Sequence, residues 1–292
     1  MSKLICFLTL FLVSVSELTA QTPPLPDLYA IPEDLVIPPV AEGAPSAGQR
    51  VRQTTAGWEG TQVHHVLYLP TDWQPDRDWP VIVEYAGNGG YQNKYGDVSD
   101  GSVEGSRLGY GLTAGRGCLW LCLPYLEKVE GTWQNAPKWW GDVEETKRYC
   151  LATLKETLAR YQGDPKRVLL CGFSRGSIAC NYLGLHDDEI ARLWCGFLCH
   201  SHYDGVRTSW PYGGADRDAA MVRLKRLQGR PQFISHEGST ADTEAWLRST
   251  GISGNWTFAP LPFRNHSDAW TLRDIPLRQQ ARDWFKKTLS LP

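Results

Sequence analysis

Gly172-Phe173-Ser174-Arg175-Gly176 follows directly on the apolar run Arg167-Val168-Leu169-Leu170-Cys171, and Ser177-Ile178-Ala179-Cys180-Asn181-Tyr182-Leu183 behind it reads as a helix. A strand, a glycine-flanked serine and a helix in that order predict a sharp turn that lifts one hydroxyl above the end of a sheet. Small residues are needed on both sides, because side chains there would collide with the reversing backbone. Ser174 is therefore the candidate nucleophile, presented at the N-terminus of the following helix.

Strand-like and helix-like segments alternate on either side of this turn. Apolar runs predict strands at 63–69, 80–85, 118–123, 167–171, 193–199, 231–236 and 256–261. Between them, Val143, Cys150, Leu151, Leu154, Leu158 and Tyr161 recur at helical spacing and stop at Gly163-Asp164-Pro165, which predicts a helix over 143–161. Residues 242–249 and 276–289 read as helices as well. Such alternation predicts an α/β class domain with a mostly parallel central sheet flanked by helices. One domain over 51–292 accommodates all of it, with no internal repeat.

The first twenty residues read as targeting rather than fold. Met1-Ser2-Lys3 gives a short basic start, Leu4 to Val15 is a nearly unbroken apolar run, and Ser16-Glu17-Leu18-Thr19-Ala20 ends on a small residue before Gln21, although Leu18 is larger than is usual three places before a cut. That is the pattern of a signal peptide cleaved near Ala20, so the expectation is a secreted or periplasmic protein with no membrane association after cleavage. The apolar run is shorter than the ~20 residues a bilayer span requires. Residues 21–50 contain seven of the nineteen prolines, including Pro23-Pro24-Leu25-Pro26, and read as an extended leader outside the compact domain.

With Lys+Arg 30 against Asp+Glu 32 and a formal net charge of −2, the chain lacks the positive balance a nucleic-acid partner requires. Eight cysteines are present, and without Cys6 seven remain: Cys118, Cys122, Cys150, Cys171, Cys180, Cys195 and Cys199. Five lie in apolar strand-like runs, where a thiol serves as a small buried hydrophobe. Cys118/Cys122 and Cys195/Cys199 each enclose three residues, which is not the usual zinc or redox spacing, so no metal is expected. Export leaves room for one or two disulfides.

A serine hydroxyl needs an imidazole to accept its proton and an acid to orient that imidazole. On a strand–elbow–helix scaffold the chain order is serine, acid, histidine. His186, His200, His202, His236 and His266 all follow Ser174, but only His266 lies beyond the last predicted strand. It is the expected general base. Asp242, after strand 231–236 and its glycine turn, is the expected acid; it also reads as an N-cap for a helix starting at Thr243. Glu237 and Asp204 compete for the acid role. His200 and His202 flank Ser201 and read as turn or pocket-lining residues, since no third metal ligand stands at a readable spacing. The oxyanion of an acyl-transfer intermediate needs N–H donors: the Arg175 backbone N–H is one, and Gly87 or Asn88, in the loop Ala86-Gly87-Asn88-Gly89-Gly90 after strand 80–85, supplies the other.

Asp164-Pro165-Lys166-Arg167-Val168 running into Gly172-Phe173-Ser174-Arg175-Gly176, Tyr85-Ala86-Gly87-Asn88-Gly89, and His266 near the C-terminus together resemble the α/β-hydrolase superfamily. Over residues 60 to 290 the chain is similar to its secreted esterases of the polyhydroxybutyrate-depolymerase and feruloyl or acetyl-xylan esterase type. Two positions depart from that pattern: Ala86 stands where a histidine usually precedes the glycine, and Gly238 to Asp242 is one residue longer than usual. Ser174-Arg175-Gly176 also resembles glucuronoyl esterases, which implies a substrate-polarising role for the Arg175 side chain.

The resemblance implies a serine carboxylester hydrolase that needs no cofactor and acts on polysaccharide-linked or other small acyl esters. Thirteen tryptophans suit that expectation, because flat indole faces stack on sugar rings; Trp133, Trp139, Trp140, Trp210 and Trp270 fall in loop-like segments, and 87–117 is long enough to help form a cleft. A serine peptidase of the prolyl-oligopeptidase kind and a non-catalytic carbohydrate-binding relative are the rival readings. Asn255-Trp256-Thr257 and Asn265-His266-Ser267 fit the glycosylation acceptor pattern, and a sugar on Asn265 would crowd the base, so Asn265 is expected to be unmodified.

Overall fold

The apolar runs of the sequence form the middle of a nine-stranded sheet. The structure, a computed structural model, describes residues 24–291, and the expected signal segment at 1–20 lies outside the described residues. In chain order the strands are β1 (Val40–Ala41), β2 (Arg50–Gln53), β3 (His65–Tyr68), β4 (Trp79–Tyr85), β5 (Tyr91–Gln92), β6 (Val98–Ser99), β7 (Leu119–Leu123), β8 (Leu126–Val129), β9 (Thr132–Asn135), β10 (Gly163–Phe173), β11 (Gly196–His200), β12 (Pro231–Ser235) and β13 (Asn255–Phe258). The helices are α1 (Leu108–Thr113), α2 (Val143–Arg160), α3 (Arg175–Tyr182), α4 (Asp188–Ala191), α5 (Arg217–Leu224), α6 (Ala241–Ser249) and α7 (Pro276–Thr288).

The sheet order is β1-β2-β3-β7-β4-β10-β11-β12-β13. Strand β3 runs antiparallel to both β2 and β7, and every other pairing is parallel. Helices cover both faces. Tyr149 and Leu154 of α2, Ile178 of α3, Leu224 of α5 and Leu247 of α6 pack into one core. Leu108 and Leu112 of α1 pack with Leu277, Ala281 and Phe285 of α7 into the other. All seven residues of β4 and all five of β7 are buried, because a strand covered on both faces has no solvent side to place polar residues on.

Local sequence explains the element ends. The Asp142 side chain accepts from the Glu145 N–H at 2.9 Å and starts α2, and Pro276 opens α7, where its missing N–H costs nothing. Buried Glu84 of β4 accepts from the backbone N–H groups of Arg107, Leu108 and Gly109 and from Trp120 Nε1, which ties the start of α1 to the sheet.

The proline-rich segment departs from expectation. Its described part, 24–50, is mostly extended, yet it is bound to the domain rather than leading away from it. Leu28 is fully buried. Asp34 pairs with Arg278 at 2.5 Å, Glu33 with Arg273 at 3.0 Å and Asp27 with Arg264 at 2.7 Å. Strand β1 then joins the sheet edge, so the sheet starts ahead of residue 51. The seven cysteines from Cys118 to Cys199 are free thiols, and all but half-buried Cys195 are buried.

Candidate active site

Ser174 sits between β10 and α3 with φ 53° and ψ −112°, a backbone that a non-glycine residue holds only when its surroundings enforce it. The enforcement is close packing of the turn. A Cβ on Gly176 would lie 1.8 Å from the Tyr85 carbonyl oxygen, and one on Gly172 would lie 2.2 Å from the Gly176 backbone. The Ser174 N–H donates to the His200 carbonyl at 2.9 Å, anchoring the turn to β11.

His266 lies in the loop after β13 and brings Nε2 to 3.0 Å from Ser174 Oγ. Its Nδ1 is 3.0 Å from Glu237 Oε1. An ionised carboxylate only accepts, so Nδ1 carries the hydrogen and Nε2 is free to take the serine proton. Burial alone would raise the Glu237 carboxyl, but the hydrogen bond from His266 and the charges of His200, His266 and His236 outweigh it and hold the group far below the ordinary carboxylate range. Ser201, the residue after β11, stands in the same cluster, with Oγ 2.7 and 2.8 Å from the two Glu237 oxygens and 2.7 Å from His266 Nδ1.

The carboxylate beside His266 is thus Glu237 and not Asp242. Asp242 is exposed in the first turn of α6. It does not cap that helix either, since the N-cap is Thr240. Asp204 is also removed from the histidine: it is buried and forms a two-point pair with Arg223 at 2.8 and 3.0 Å. Glu237 wins because it leaves the sheet only two residues after β12, where it bridges to Leu261. Gly238, at φ 70°, then turns the chain away.

The serine follows β10, the carboxylate β12 and the histidine β13, all at the carboxyl edge of parallel strands. Among solved structures the chain is similar to one of two fungal esterases from Rhizomucor miehei, with TM-score 0.58 and 11% identity over 92% of this chain and 93% of that one. The chain has the α/β-hydrolase fold. It is also similar to a thermostable esterase (TM-score 0.51, 14% identity, 82% of this chain and 62% of that one) and to the isopeptidase AtxE2 (TM-score 0.52, 16% identity, 83% and 40%). The chain spans less than two thirds of the length of these last two. Neither a protein-family model nor a curated protein matches the sequence.

The hydrolase-fold cleft above Ser174 has a volume of about 490 Å³ and is lined by Asn88, Tyr91, Trp139, Arg207, Trp210 and His266, among others. The Arg175 backbone N–H stands at the first position of α3, where no intrahelical acceptor exists. Asn88 reaches the cleft, and its Oδ1 accepts from the Trp139 N–H at 2.8 Å. Gly87 does not line the cleft; its carbonyl faces inward and accepts from Arg175 Nη2 at 2.9 Å.

Arg175 as a whole is 1% exposed. Its guanidinium donates to the carbonyls of Ala136, Trp139, Gly87 and Gly101 and lies 3.9 Å over the Tyr125 ring. Burial pushes it down to about 10. Rather than reaching for substrate, as the sequence resemblance implied, it clamps the two loops that form the cleft wall. His202 lines the cleft, whereas His200 is fully buried beneath it, bonded to Ser235 Oγ at 2.8 Å and the Ser267 carbonyl at 3.1 Å. Of the five loop tryptophans, Trp139 and Trp210 reach the cleft, while Trp140 and Trp270 are buried.

Asn265 is fully buried next to the histidine. Its Nδ2 donates to Asp97 at 3.0 Å and its Oδ1 accepts from the Leu28 N–H at 2.7 Å. Both ends of the amide are occupied, so a glycan on this nitrogen is incompatible with the fold. Asn255, by contrast, is exposed.

Proposed function

We propose that the protein is a serine carboxylester hydrolase that works through an acyl-enzyme on Ser174. The observation that carries this reading is the alignment of Ser174 Oγ, His266 and Glu237 through two 3.0 Å contacts at the floor of the cleft. His266 Nε2 takes the hydroxyl proton as Oγ attacks the ester carbonyl carbon; the resulting oxyanion is held by the backbone N–H groups of Arg175 and Asn88. His266 then passes its proton to the departing alcohol. Water attacks the acyl-enzyme by the same route and releases the acid.

Substrate choice follows from the cleft walls. Trp139 and Trp210 stand 5.2 Å apart at 60° beside the nucleophile, which suits a ring-shaped group such as a sugar carrying the ester. A signal segment at 1–20 and an exported site of action belong to the same proposal. Purified protein is expected to release acid from p-nitrophenyl acetate and acetylated xylan, and a fluorophosphonate is expected to label Ser174. Ser174→Ala should abolish labelling and lower kcat by at least roughly 10³-fold. A folded wild type that neither hydrolyses these esters nor takes the label would refute the reading.

Arg207 adds a preference. Its guanidinium stacks 4.1 Å over the Trp210 ring and lines the cleft, and among the described residues it meets no carboxylate. Arg264, on the same cleft, is paired with Asp27. An ester bearing its own carboxylate, such as p-nitrophenyl hemisuccinate, is expected to show a higher kcat/KM than neutral p-nitrophenyl butyrate. Arg207→Gln and raised salt should each narrow that ratio, since exposed charges are screened beyond about 10 Å at 0.1 M salt.

A further inference from the structure

Ser201 holds φ at 87°. In that region a side chain is strained and glycine is not, and strain kept by a buried serine beside an acid and a base points to a role for its hydroxyl. The residue is fully buried. Its N–H donates to the Ser235 carbonyl at 2.7 Å, which fixes the backbone between the ends of β11 and β12 and aims the side chain at the gap between acid and base.

We infer that Ser201 is a positioning residue of the proton relay, its hydroxyl bridging Glu237 and His266 Nδ1. The single hydroxyl hydrogen goes to Glu237, the only acceptor beside it among the described residues once Nδ1 carries its own hydrogen, at 2.7 to 2.8 Å. The oxygen lone pairs then face the Nδ1–H at 2.7 Å, nearer than the carboxylate oxygen at 3.0 Å. One N–H is thereby shared between two acceptors. When Nε2 takes the Ser174 proton, the positive charge that develops on the ring is met by both, and the hydroxyl accepts more strongly because it is already donating to an anion. Asp97, which accepts the His266 backbone N–H at 2.8 Å, fixes the loop from the other side. The ring is therefore held at its backbone by Asp97 and at Nδ1 by the Ser201–Glu237 pair.

This inference rests on the hydrolase reading, and two substitutions separate it from a purely structural role. Ser201→Gly removes the hydroxyl and relieves the strain; Ser201→Ala removes the hydroxyl and keeps the strain. Both are expected to lower kcat roughly 10-fold with KM unchanged and to slow fluorophosphonate labelling of Ser174 in parallel. The Tm of Ser201→Gly should equal or exceed that of Ser201→Ala. If kcat stays within twofold of wild type in both variants, or follows Tm so that the glycine variant recovers activity, the relay role is overturned. Wild-type protein that labels normally keeps the hydrolase reading intact in either case. A wild type that does not label overturns both.

Discussion

Glu237→Gln is expected to lower kcat by roughly 10⁴-fold while leaving the fold and KM nearly unchanged, the loss seen when the orienting acid of such a triad becomes an amide. The reason is tautomeric. A carboxylate facing Nδ1 at 3.0 Å accepts the ring hydrogen and leaves Nε2 bare toward Ser174. An amide nitrogen at that place would donate to Nδ1 and drive the ring hydrogen onto Nε2, where it blocks proton transfer. Asp242→Asn, exposed on α6, should stay within twofold of wild type. Steady-state kinetics on one activated ester and the labelling rate of Ser174 measure both; a collapse in the Asp242 variant with full activity in the Glu237 variant would reverse the assignment. Because the native Glu237 carboxyl is held below its ordinary value, it contributes stability above about pH 4.5, the value of a free glutamate. That contribution is lost only as pH falls through the lower native value.

Most of the sheet was legible because its inner strands are buried: six of the seven apolar runs are inner strands, and the seventh is the half-buried edge strand β13, while β1 and β2 at the other edge gave no run. Each run corresponds to one of the strands β3, β4, β7, β10, β11, β12 and β13. The short pairs β5–β6 and β8–β9 lie outside that sheet and mix polar with apolar residues, leaving no run to read. The segment at 24–50 misled for a related reason. Its attachment depends on Asp27, Glu33 and Asp34 meeting Arg264, Arg273 and Arg278, and pairs more than 230 positions apart leave no local signal. For the site, the elbow around Ser174 and the loop of His266 could be placed by chain order alone. The acid could not, because Asp242 beyond the glycine turn and Glu237 before it both follow the strand, and the turn drew the choice to Asp242 although its spacing from Gly238 is one residue longer than usual. The available clue was proximity: Glu237 is the first carboxylate after β12, and it precedes the glycine that turns the chain outward. Ser201 gave no sequence signal, since its positive φ arises only in the folded chain.

Asn265→Ala is expected to impair the protein twice over, which makes the N-terminal segment part of the support of the candidate active site. The side-chain amide joins the Leu28 N–H to Asp97, and Asp97 in turn accepts from the His266 N–H at 2.8 Å and from Asn93 Nδ2 at 2.6 Å. The backbone adds a further tie, Arg264 N–H to the Pro26 carbonyl at 3.1 Å. Removing the amide leaves a buried donor and a buried carboxylate oxygen unpaired, at a cost of about 2–4 kcal/mol. In a domain of this size that lowers Tm by roughly 4–8 °C. The loop carrying His266 is then free to shift, and a displacement of about 1 Å between base and nucleophile costs on the order of 10² in kcat. Calorimetry and kinetics on the same preparation separate the two effects. A variant that loses Tm but keeps kcat at a temperature where it is fully folded would show that the segment stabilises the domain without aligning the histidine.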